Sequence, residues 1–152
     1  MKRLTAAVAA ALVVVGSGAA RQDAAPAKSI DGTYKVVSAR FGGKEDTEKA
    51  AKTEFVFKDG AVTISDDGKK DETAEFKLDP SKTPGHIDIQ PMNDVAPKGE
   101  RVALGIYQTK STPDGLELTI AFTKNGGARP TNFKGEGPGE VVLRLLRRGE
   151  KK

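Results

Sequence analysis

From Ile30 to Arg148 the chain runs in short stretches that alternate apolar and polar residues, separated by glycine, proline and aspartate. Alternation at every second position predicts strands with one buried face. "EFVFKDGAVTI" shows it most clearly. Phe55 and Phe57 share one face, and so do Val62 and Ile64. Asp59-Gly60 between them is a favoured two-residue hairpin turn, because both turn residues take positive φ. That loop sets Phe57 opposite Val62 and Phe55 opposite Ile64. Turn and apolar faces therefore agree on one register.

The pattern recurs. Ala74, Phe76 and Leu78 fall on one face, as do Ile87 and Ile89. Val102, Leu104 and Ile106 alternate with Ala103, Gly105 and Tyr107, and Leu116, Leu118, Ile120 and Phe122 with Glu117, Thr119 and Ala121. "EVVLRLLRR" closes the series. Turn chemistry separates these runs at Asp67-Gly68, Asp79-Pro80, Pro97-Lys98-Gly99 and Pro113-Asp114-Gly115. Strands are expected near 32–39, 53–58, 61–65, 73–78, 86–90, 101–108, 116–123 and 141–147. A single short, charged helix is expected over Glu45–Lys52, between the first and second of them. Without helical crossovers, neighbouring strands should be antiparallel. The expected fold is all-β: an eight-stranded antiparallel up-and-down barrel, which leaves no exposed sheet edge. A two-sheet sandwich is the alternative, but its connections need longer loops. Tyr34, Val36, Phe55, Phe57, Phe76 and Phe122 should point inward, where they either fill the interior or line one ligand cavity.

The first twenty residues do not fit this pattern. Met1-Lys2-Arg3 is basic, Leu4–Val15 is an apolar run, and small residues follow. That three-part arrangement predicts a cleaved signal peptide over 1–20. As a helix, the apolar run would span about 18 Å, against about 30 Å of hydrocarbon core. A polar linker is expected over 21–29 and the barrel domain over 30–149. The chain is thus expected to be exported, periplasmic or extracellular. Its net charge of +4 falls to +2 once Lys2 and Arg3 are removed. The basic residues cluster only at the tail, so nucleic acid is not an expected partner. With no cysteine, disulfides, lipidation and thiolate chemistry are excluded, and the core must hold the fold alone.

Three stretches carry candidate chemistry. "TKNGGARPTNFKGEGPGE", Thr123 to Glu140, is longer than a hairpin needs. It reads either as a flap at the barrel mouth offering Arg129 and Lys134, or as a tether across the barrel end anchored by Pro130 and Phe133. His86, the single histidine, shares a strand face with Asp88, so an ion pair is geometrically open to them. A polar outer face is the simpler reading. "SDDGKKDE" is acidic but lacks the spacing of a calcium loop, which leaves a solvated turn. No catalytic residue, metal site or cofactor is expected.

Gly32-Thr33-Tyr34 resembles the Gly-x-Trp signature that opens the first strand of lipocalins. The resemblance implies that Tyr34 packs across the closed end of the barrel beneath an arginine near the last strand, Arg144 or Arg147. Five further blocks widen it: "DGTYKVVSARFGGK", "FVFKDGAVTI", "AEFKLDPSKTPGHIDI", "LGIYQ" followed by "GLELTIAF", and "RPTNFKGEGPGEVVLRLLRR". In order and spacing they resemble a planctomycete-type family of exported lipocalin-like domains, with Tyr34 where that family has tryptophan. The resemblance implies the barrel and carries over no catalytic residue. By analogy with lipocalin-like barrels the expected function is binding of a small apolar or amphipathic ligand, at Tyr34, Val36, Phe55, Phe57, Phe76, Phe122 and Arg129. The second reading is a filled barrel acting as a cell-envelope interaction or structural module, with an envelope protein as partner. Under either, the chain is expected to be a monomer and not an enzyme, with no membrane span after signal cleavage.

Overall fold

The computed structural model describes residues 26–91, 102–124 and 126–149. The expected signal peptide, the start of the linker and the Pro97-Lys98-Gly99 turn lie outside the described residues. Among the described residues there are nine strands: β1 (Gly32–Phe41), β2 (Lys44–Glu45), β3 (Thr53–Lys58), β4 (Ala61–Asp66), β5 (Lys69–Asp79), β6 (Gly85–Pro91), β7 (Ala103–Thr112), β8 (Gly115–Thr123) and β9 (Glu140–Arg148). Apart from the two-residue β2, they pair in sequence order from β1 to β9, and β1 also pairs with β9. Every pairing is antiparallel. The result is a closed eight-stranded barrel, with β2 folded back on the end of β1.

The β3–β4 hairpin has the expected register, with Phe55 opposite Ile64 and Phe57 opposite Val62. Its turn residues take positive φ, 51° at Asp59 and 78° at Gly60. Where an eight-residue helix was expected, the chain makes one turn, α1 (Thr47–Ala50). A segment this short cannot offset the cost of helix nucleation, and it rests on β1 through the buried Ala50.

Two features shape the interior. A register shift between Val36 and Ser38 interrupts the β1–β9 ladder. It turns both Val36 and Ala39 into the core and leaves Val37 42% exposed. In β7 the inward set is Ala103, Gly105 and Tyr107, the reverse of the apolar series Val102, Leu104 and Ile106. Tyr107 belongs to the main core, whereas Ile106 belongs to a second cluster with Ala121 and Val142, covered by Phe133. β7 is thus buried on both faces, and alternation alone cannot tell which face points in.

The cover is the β8–β9 connection. Thr123 Oγ1 donates to the carbonyl of Ala128 at 2.7 Å, Pro130 is buried, and Phe133 packs on the second cluster. Beyond it, Arg40 of β1 donates to the carbonyl of Lys134 at 3.0 Å. The segment is a strap along the outer wall, neither a flap at the mouth nor a tether across the barrel end.

Candidate functional site

The end of the barrel where β1 begins and β9 finishes is its floor. Tyr34 is fully buried there, with its ring edge-to-face to Phe57 at 5.6 Å between centroids. Phe57 in turn meets Phe76 edge-to-face at 5.4 Å, and Phe55 stacks on it at 6.4 Å. Such pairs add about 0.5–1.5 kcal/mol each beyond the area they bury. The guanidinium of Arg147 lies 5.8 Å from the Tyr34 ring centroid, a contact of about 0.5–2 kcal/mol depending on desolvation. Arg147 also donates to the carbonyl of Asp31. Gly32 is required by this arrangement: its φ is 141°, and a Cβ there would overlap the Arg147 side chain.

Arg144 is not the closing arginine. Strand alternation places Arg147 on the inner face with Leu143 and Leu145, and Arg144 on the outer one. There Arg144 pairs with Glu117 at 2.9 Å.

The chain ahead of β1 completes the floor. Ile30 is fully buried and Pro26 is buried. The hydroxyl of Tyr107 donates to the carbonyl of Ala27 at 2.6 Å. Gly85, opposite Tyr107 across the β6–β7 ladder, leaves room for this ring: a Cβ there would overlap both Tyr107 and Pro26. Pro26, Ile30, Gly85 and Tyr107 were not among the residues expected at a site. Pro26 lay within the segment read as linker and Ile30 just after it, and Tyr107 lay on the face of its strand that alternation disfavours.

Burial pushes both phenols above their ordinary pKa. At Tyr34 the nearby Arg147 charge opposes the rise and Asp31 adds to it; at Tyr107 Asp79 adds to it. The Tyr34 hydroxyl is the single buried side-chain polar atom without a hydrogen-bond partner among the described residues.

Of the expected interior residues, Tyr34, Val36, Phe55, Phe57 and Phe76 are buried core members. Phe122 faces the same core but is only half-buried, as are Ile64 and Ile89. All three sit toward the far end, the mouth, where β4, β6 and β8 finish. Arg129 does not belong with them. It lies on the outer wall, where it pairs with Asp88 at 2.7 Å and donates to the carbonyl of Gly105 at 2.5 Å. Asp88 therefore serves Arg129 rather than His86. His86 instead stands opposite Asp79, whose carboxylate accepts from the hydroxyl of Ser81 at 2.5 Å and from its N–H at 3.0 Å. With both hydrogen bonds local to the turn, this is a turn cap and not a nucleophile–base pair. Among the described residues no three His, Asp or Glu side chains gather as metal ligands, and no helix is long and apolar enough to cross a membrane.

No family model, curated protein or solved structure matches this chain.

Proposed function

We propose that this is an exported, lipocalin-like barrel that holds a small apolar or amphipathic ligand in the mouth half of its interior. The observation that carries the reading is the group of half-buried apolar side chains that face inward at the mouth. Ile64, Ile89 and Phe122 face inward there yet keep solvent access, as Leu78 does toward the floor, where Tyr34, Phe57 and Ile30 are fully or nearly fully buried. Apolar surface left accessible at one end of a barrel is what a small lipophilic molecule would cover. The signal-peptide pattern over 1–20 supplies the export half of the proposal. Native mass spectrometry on protein taken from its own compartment, with titration of a lipophilic dye, tests it. A co-purifying small mass and saturable dye binding weakened by Phe122→Asp are expected. Their joint absence would overturn it.

The second reading is a filled envelope-interaction module, favoured by the aromatic series Tyr34–Phe57–Phe76 that occupies the floor half. It predicts no dye binding and a crosslinked envelope protein in its place.

A further inference from the structure

The barrel registers set out the outer wall in rows. Arg40 stands opposite Glu45 of β2 on one side and Val142 of β9 on the other. Val142 continues to Ala121, and Ala121 to Ile106. Phe133 of the strap covers that apolar row. In the adjacent row, Ser38 stands opposite Arg144. Where Phe133 meets β1 and β2, a half-open groove of about 320 Å³ remains, lined by Ser38, Arg40, Glu45, Phe133, Val142 and Arg144. The groove is on the outside of the barrel, so it does not rest on the interior reading above.

Both guanidiniums in the groove are anchored and mostly unspent. Among the described residues, Arg40 donates only through Nη1 to the carbonyl of Lys134, and Arg144 only through Nη2 to Glu117. A guanidinium carries five N–H donors in a fixed fork that suits a carboxylate. Glu45 is the one carboxylate in the lining, and it is in neither ion pair among the described residues. With Glu117 counted beside Arg144, the local charges balance. Recognition would therefore come from directed donors rather than from a general positive field. Phe133 and Val142 give the same groove an apolar wall.

We propose that this groove binds a small organic carboxylate with a flat or short apolar body. The carboxylate lies between the Arg40 and Arg144 forks, and the apolar body rests against Phe133 and Val142. The volume is at the lower limit of small-molecule sites, about 300 Å³, which fits an aryl or short acyl acid and not a lipid. Glu45, facing Arg40, competes with the ligand for that fork.

Titrating the full chain with benzoate and with benzamide, followed by amide NMR shifts, tests the proposal. Benzoate is expected to move Ser38, Arg40, Phe133 and Arg144 saturably, with a Kd of about 1 mM for a ligand of this size. Benzamide and inorganic phosphate should bind at least about tenfold more weakly, since one lacks the charge and the other the apolar body. Arg144→Gln should weaken benzoate about tenfold, while Glu45→Gln, which leaves the strap contact of Arg40 intact, should tighten it several-fold. Equal binding of benzoate and benzamide, shifts confined to other residues, or unchanged affinity in both variants would overturn it.

Discussion

Tyr34 sets a cost against a gain within one side chain. Its ring lies between Phe57 and the Arg147 guanidinium, while its hydroxyl is buried without a partner among the described residues. Leaving a buried hydroxyl unpaired costs about 1–3 kcal/mol. Tyr34→Phe keeps the ring and removes that cost, so stability should be unchanged or rise by up to about 1 kcal/mol in urea unfolding. A loss of that size would show that the hydroxyl has a partner in solution. The phenols also set an alkaline limit. Both are raised by burial, so the fold favours their neutral form. Their contribution is complete below the ordinary phenol value near 10 and is lost as pH rises through the higher folded values. Asp79 acts in the opposite direction. The Ser81 hydroxyl, then the Ser81 N–H, hold its carboxyl below the usual value. Its small contribution is present above that usual value and lost as pH falls through the folded one. Unfolding midpoints measured against pH should therefore fall steeply above about pH 10 and only slightly at the acid end.

Among the elements, those with one buried face were legible from the chain and those with two were not. Asp59-Gly60 fixes its own hairpin register, and Phe55, Phe57, Val62 and Ile64 agree with it. β7 carries Ile106 outward beneath Phe133 and Tyr107 inward, because the strap buries the face that would otherwise meet water. No local pattern announces a cover that lies many residues further along the chain. The same long-range contact explains Arg129 and Asp88: both look like solvated charges until the strap brings them within 2.7 Å. This pair is partly exposed and worth little alone. The anchoring weight should rest on Phe133, and Phe133→Ala should cost about 1–3 kcal/mol, less than a fully buried phenylalanine. Amide hydrogen exchange should quicken at Ile106, Ala121 and Val142 in that variant and stay unchanged in β3 and β4. Faster exchange throughout would mean that the strap holds the whole barrel.

At the scale of the molecule, pairing of β1 with β9 closes the sheet, so the described barrel has ends rather than edges. The two ends differ. The floor is sealed by chain that precedes the first strand, through Pro26, Ala27 and Ile30, whereas the mouth leaves Ile64, Ile89 and Phe122 half-buried. Gly32 and Tyr34 mark the floor in the sequence with either Arg144 or Arg147 above the ring, and strand phase in the barrel decides for Arg147. The contribution of Pro26 and Ala27 does not show in the sequence, because an alanine-rich polar stretch has no periodicity to betray its docking. A chain beginning at Gln22 should unfold at the same urea concentration as the full chain. One beginning at Asp31 lacks the buried Ile30 and the acceptor for Tyr107, and should lose about 2–5 kcal/mol. The floor has an optical consequence as well. The protein has two tyrosines and no tryptophan, and both phenols belong to the floor. Its ultraviolet emission is thus a built-in label for one end of the barrel. It would report opening of the floor directly, while a guest resting at the mouth would leave the emission largely dark to its arrival.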